Sequence, residues 1–131
     1  MLQHTTQVRV RYGETDRMGY AYYGNHALYF EVGRVEMLRY MGYPYEEMER
    51  DGLMCPVTEF TVRYVRPALY DELLLVTTCI AQPPTQLIHF DTTICNESQK
   101  LVSTGRVTLA FVDAITRRKC DCPPRIAQLF I

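Results

Sequence analysis

Residues 5–12, TTQVRVRY, alternate, with Val8 and Val10 on one face and Arg9 and Arg11 on the other. A period of two is that of a half-buried strand. A polar, glycine-containing stretch from Gly13 to Asn25 follows, with two consecutive turn regions around a single aspartate, Asp16. From about His26 to Met41 the period becomes helical. Leu28, Val32, Val35 and Leu38 form one stripe, which Phe30, Met37 and Met41 widen. So broad an apolar surface predicts a helix wrapped by a sheet. Asn25 is placed to cap its start, and Gly42 with Pro44 to stop it. Gly33, in mid-helix, costs about 1 kcal/mol of helix propensity against Ala. Close approach to a neighbouring strand would explain it. Glu31 and Arg34, three apart, are placed to pair. YPYEEMERDG (43–52) reads as a short second helix ended by Gly52.

The rest of the pattern is β. Residues 56–66, 72–81, 86–96 and 101–113 are strand-like, and Pro67, Pro83-Pro84 and the polar NESQK punctuate them. The last two strands are joined tightly enough for a hairpin. The tail CPPRIAQLFI reads as a short terminal helix. There is no internal repeat or linker, so residues 1–131 form one domain. Strand, long helix, short helix and four strands predict an α+β fold, an antiparallel five-stranded sheet around one long helix. The edges of such a sheet need pairing, and a two-fold homodimer with a continuous sheet is the economical solution.

A net charge of -1 gives no global field for nucleic acid. No apolar run approaches the ~20 residues of a membrane span. The N-terminus MLQHTTQVRV lacks the pattern of a secretory signal, which reads as cytoplasmic. Cys55, Cys79, Cys95, Cys120 and Cys122 read as reduced thiols; KCDC has one residue between its cysteines, not two. His89 and Asp91 share a strand face without a third ligand, and only His4 and His26 remain, so no catalytic metal is expected. Phosphate-loop and G-x-S-x-G motifs are absent.

The stretch ETDRMGYAYYGNHALYFEVGRVEMLRYMG resembles the signature of hotdog-fold acyl-CoA thioesterases, in the 4-hydroxybenzoyl-CoA and Tol-Pal-associated group. Asp16, Gly19, Tyr22-Tyr23, Asn25, Tyr29-Phe30-Glu31 and Arg34 carry the likeness. A second hallmark lies in VRYVRPALYDELLL, at Tyr64, Pro67 and Asp71. The likeness covers roughly residues 5–113 and implies a hotdog fold and hydrolysis of an acyl-CoA thioester. By resemblance, the Tyr23 backbone N–H, beside the helix start, polarises the thioester carbonyl, and Asp16 faces it as base or nucleophile. Such chemistry needs an oxygen nucleophile and a stabilised oxyanion, and a helix start offers free N–H groups. Taken alone, Asp16 is also a good turn residue that bonds its own backbone.

Tyr22, Gly24, Asn25, His26 and Tyr64 are the candidate substrate-binding residues. Relatives carry His after the turn glycine or after the tyrosine of the aromatic pair; here Tyr20 and Gly24 stand there, leaving Asp16 without an evident imidazole partner. His26 is either a polar group facing the site or an exposed first-turn residue. Tyr64 is either a pocket residue or core packing. Coenzyme A phosphates need basic residues. Arg117, Arg118 and Lys119 form the best cluster, followed by Arg63 and Arg66, each also readable as a solvated charge. The resemblance implies no cofactor, because coenzyme A belongs to the substrate. It implies a homodimer or a dimer of dimers, with acyl carrier protein as an alternative carrier. The competing reading is a non-catalytic acyl-CoA or acyl carrier protein binding module.

Overall fold

The computed structural model describes residues 1–131. Seven strands run in chain order: β1 (Leu2–Arg9), β2 (Leu53–Met54), β3 (Val57–Tyr64), β4 (Leu73–Ile80), β5 (Leu87–Cys95), β6 (Leu101–Ala110) and β7 (Val112–Asp113). The helices are α1 (Asn25–Tyr40), α2 (Tyr45–Arg50) and α3 (Pro124–Ala127). Five strands form one antiparallel sheet in the order β1-β4-β5-β6-β3. It wraps α1, as the hotdog architecture requires. β5 and β6 pair as the expected hairpin, from Leu87↔Ala110 to Cys95↔Leu101. A separate two-stranded pairing of β2 with β7 was not expected; the chain breaks at Phe111, so 101–113 is two strands.

β1 lies three residues earlier than the alternation predicts. It pairs with the full length of β4, from Leu2↔Ile80 to Arg9↔Leu73. Its expected C-terminal residues are instead drawn into a 3₁₀ turn at Tyr12–Glu14, where the Glu14 N–H donates to the Arg11 carbonyl at 2.9 Å.

The core lies between α1 and the inward side chains of the central strands, such as Val76, Phe90 and Ile94. Tyr29, Phe30, Met37 and Leu38 face it from the helix. The expected stripe is therefore rotated. Leu28 and Val32 are exposed, at 51% and 37%, while His26, Gly33 and Arg34 are buried. Gly33 explains the rotation. A Cβ built there would stand 2.6 Å from both Val76 Cγ1 and Thr78 Oγ1, so the helix approaches β4 as closely as a backbone can. The face that carries Gly33 is thereby set against the sheet, and His26 and Arg34 are buried with it. Arg34 does not pair with Glu31; its Nε donates to the Tyr45 hydroxyl at 2.8 Å. Gly42 ends α1 with φ +85°, a left-handed value that glycine adopts without strain. No helix is long and apolar enough to cross a membrane.

Candidate active site

The turn that carries Asp16 is a small hairpin. Thr15 bridges Ala21, the Asp16 N–H donates to the Tyr20 carbonyl at 2.7 Å, and the Gly19 N–H donates to the Asp16 carbonyl at 3.0 Å. Gly19 has φ +84°, which a residue with a side chain would adopt only with strain. Asp16 Oδ1 accepts the backbone N–H groups of Met18 and Tyr20, at 2.9 and 3.2 Å. The turn role and the reactive role are thus divided between two oxygens. Oδ1 holds the loop, while Oδ2 has no protein partner.

Two further contacts fix this loop. The Ala21 N–H donates to the Ala68 carbonyl at 2.7 Å, and Tyr20 bridges Leu69, which pins the turn to the segment after β3. Glu14 ties it to the helix start. Its carbonyl accepts the Tyr22 N–H at 2.9 Å and Asn25 Nδ2 at 2.7 Å, while its carboxylate accepts the Tyr29 hydroxyl at 3.1 Å. Asn25 is therefore not the cap of α1. It is the first helical residue, Gly24 holds the cap position, and the Asn25 side chain reaches back to the loop. With no side chain bonded at the cap, the N–H groups of Tyr23 and Gly24 donate to no protein atom.

These pieces surround one cleft of about 330 Å³, bordered by Asp16, Tyr23, His26, Tyr64, Arg66 and Met18. Asp16 also borders a second cleft, with Tyr12, Arg17 and Tyr70. Tyr64 lies on β3, with 45% of its surface exposed, and lines the first cleft instead of packing in the core. Its hydroxyl donates to the Tyr23 carbonyl at 2.9 Å, and its ring meets His26 edge-on with centroids 4.8 Å apart. Burial, and then the neighbouring Tyr23, raise the Tyr64 phenol above its ordinary value, so it remains a donor. His26 is not an exposed first-turn residue. It is 3% exposed, and Nδ1 lies 2.9 Å from Ser103 Oγ. Burial lowers its imidazole below the ordinary 6.5. The cleft thus contains an imidazole that the expected turn positions lack.

Of the candidates, Asp16, Tyr23, His26, Tyr64 and Arg66 come together. Tyr22, Gly24 and Asn25 do not line the cleft. The Tyr22 ring packs tilted against Tyr23, with centroids 4.7 Å apart, and Asn25 serves the loop. Arg63 is exposed on β3, outside the cleft. Arg117 borders a different cleft, with Arg34, Tyr45 and Cys55, and Arg118 and Lys119 are exposed beside it in sequence. Within one chain, Arg66 is the only basic candidate at the Asp16 cleft. Its Nη1 donates to the Leu101 carbonyl at 3.1 Å. Sequence reasoning missed Glu14 and Ser103. β6 also carries Thr104, Arg106 and Thr108, so no pattern along the chain singles out the Ser103 hydroxyl.

The chain is similar to known proteins over most of its length. Escherichia coli O157:H7 acyl-CoA thioester hydrolase YbgC is 28% identical over 123 residues, which cover 94% of this chain and 92% of that protein. Bacillus subtilis YneP is 38% identical over 74 residues, 56% of this chain and about half (54%) of its own length. The crystal structure of a DHNA-CoA thioesterase from Staphylococcus aureus superposes with a TM-score of 0.87 at 32% identity, covering 92% of this chain and 81% of that one. The model of the thioesterase-like superfamily matches residues 10–130, nearly the whole chain, with both the Asp16 loop and its cleft inside the match; the protein belongs to that superfamily.

Proposed function

We propose that the protein hydrolyses acyl-CoA thioesters in the cleft between the Asp16 turn and the start of α1. The observation that carries this reading is an aspartate with one anchored and one free oxygen, in the same cleft as Tyr23, whose N–H has no partner. Names of relatives that share the fold, an acyl-CoA thioester hydrolase and a DHNA-CoA thioesterase, support the substrate class. The thioester carbonyl accepts the Tyr23 N–H, which stabilises the negative oxygen that forms as the carbon becomes tetrahedral. Asp16 Oδ2 acts as base on water, or attacks the carbonyl carbon itself and displaces the thiolate, leaving a mixed anhydride that water then hydrolyses to the acid and free Asp16. In the first case a C–O bond forms from water and the proton passes to Asp16. The C–S bond then breaks, and the thiolate leaves as coenzyme A and takes up a proton. Arg66, at the rim, is the in-chain group for a coenzyme A phosphate.

The working unit in this reading is a homodimer in a reducing compartment, the cytoplasm. β3 is an edge strand with one unpaired backbone edge and exposed Val57 and Tyr64, and pairing with a second copy would cover it. All five cysteines are unpaired, as such a compartment would keep them.

The test is thiol release from a panel of aromatic and aliphatic acyl-CoA esters by wild type and Asp16→Asn. Wild type is expected to release thiol, and the variant to lose about 10²–10⁴-fold in kcat. Equal rates in both would remove Asp16 from the reaction.

A further inference from the structure

We infer that His26 is a second donor to the thioester oxygen, held in the neutral Nε2–H tautomer by the buried hydroxyl of Ser103. This rests on the hydrolase reading above and extends it to a residue on the first turn of α1.

The tautomer follows from counting donors. Ser103 is 0% exposed, and its Oγ has one hydrogen-bond partner, His26 Nδ1 at 2.9 Å. Were the ring proton on Nδ1, it would donate to Oγ, and the Ser103 O–H would be sealed in the sheet without an acceptor. An unsatisfied buried donor costs about 1–3 kcal/mol. With the O–H donating to Nδ1, the hydroxyl donor is satisfied and the proton stands on Nε2. The cation would recreate the unsatisfied hydroxyl and add a buried charge. The depressed imidazole value agrees.

The direction follows from the packing. His26 borders the cleft, and its Nδ1 is engaged inward. Nε2 has no protein partner, yet it is not among the polar atoms sealed from solvent. Tyr64 ties the two donors together, since its hydroxyl holds the Tyr23 carbonyl at 2.9 Å and its ring edge meets the imidazole. A tetrahedral oxyanion gains most from donors already aimed at it, because nothing then reorganises during the reaction. The Tyr23 N–H and the His26 Nε2–H, three residues apart, form such a pair. Ser103 touches no substrate and is a positioning residue.

Two measurements on the whole protein test this. Long-range ¹⁵N NMR reads the His26 tautomer without substrate. The Nε2–H form is expected in wild type near neutral pH, and a mixture in Ser103→Ala. An Nδ1–H wild type, or an unchanged pattern in Ser103→Ala, overturns the lock. In kinetics, His26→Phe is expected to lose about 10²-fold in kcat with KM nearly unchanged. His26→Gln, which keeps an N–H, should recover to within about 10-fold of wild type, and Ser103→Ala should lose about 3–10-fold. If His26→Phe does not fold, the Gln and Ala variants carry the comparison. A His26→Phe variant with near-normal kcat, beside an inactive Asp16→Asn, overturns the donor role and leaves the hydrolase reading standing. A wild type that releases no thiol from any ester overturns the hydrolase reading and the donor role with it, while the tautomer is still read by NMR.

Discussion

The close contact between α1 and β4 allows a substitution whose sign is decided by two opposing terms. Gly33→Ala improves helix propensity by about 1 kcal/mol. Against this, the new methyl would stand 2.6 Å from Val76 Cγ1 and 2.6 Å from Thr78 Oγ1. Ordinary carbon contacts lie near ~3.5–4.0 Å, so the overlap with each is about 1 Å. Both neighbours are fully buried and β-branched, with little freedom to rotate away. Overpacking usually costs about 1–3 kcal/mol, and two such contacts with stiff buried neighbours put this one in the upper part of that range, about 2–3 kcal/mol. The second term wins, and the net loss is about 1–2 kcal/mol. For a domain of this size that lowers Tm by roughly 3–10 °C. Urea unfolding followed by circular dichroism, at fixed protein concentration, measures the midpoint without a tryptophan, which the chain lacks. Relief of the clash tilts α1 off the sheet and carries the Tyr23 N–H with it, so activity falls as well. A displacement of ~1 Å can cost up to about 10²-fold. A Gly33→Ala protein as stable as wild type would refute the idea that this glycine sets how closely the helix sits.

Three further outcomes follow from the site and its surroundings. Asp16→Asn keeps an oxygen for the Met18 and Tyr20 N–H groups and should unfold near wild type, whereas Asp16→Ala loses both bonds and about 1–2 kcal/mol; matched urea midpoints for the two variants would show that the turn does not use Oδ1. The folded-state value of His26 is depressed below 6.5, so the unfolded chain binds the extra proton first, and stability present above about pH 6.5 is lost as pH falls toward the folded value; His26→Gln should flatten that slope in urea midpoints compared at about pH 5 and 7.5. Burial, with the Cys120 and Cys122 thiols nearby, pushes Cys55 up to about 12, so native protein should resist iodoacetamide at Cys55 until it is unfolded; rapid native labelling seen by mass spectrometry would contradict that burial.

Local patterns carried most of the fold. The strands β4 and β5, the Gly42 stop of α1 and the short α2 all lie within a few residues of their expected places. The misreadings share one cause, which is contacts distant in sequence. The buried stripe of α1 was expected on Leu28 and Val32, because apolar periodicity cannot register that Gly33 must face β4. His26 and Arg34 are buried only because Ser103 and Tyr45 supply hydroxyls, 77 and 11 residues away. That Asp16 and Tyr23 border one cleft was legible because they lie in one local motif. The split of labour between the two Asp16 oxygens was not, since it depends on the hairpin closed by Gly19. Arg117, Arg118 and Lys119 were grouped because they cluster in sequence; in space Arg117 borders another cleft, and Arg66, two residues beyond β3, borders the cleft of Asp16.

The proposed hydrolysis needs one arrangement, a carboxylate and a free peptide N–H facing the same thioester. The most direct measurement is a crystal structure of Asp16→Asn with an intact acyl-CoA bound. The thioester oxygen should lie about 2.7–3.1 Å from the Tyr23 nitrogen, with the amide that replaces the carboxylate beside the carbonyl carbon. A thioester seated in the Arg117 cleft, or one whose carbonyl points away from the start of α1, would contradict it.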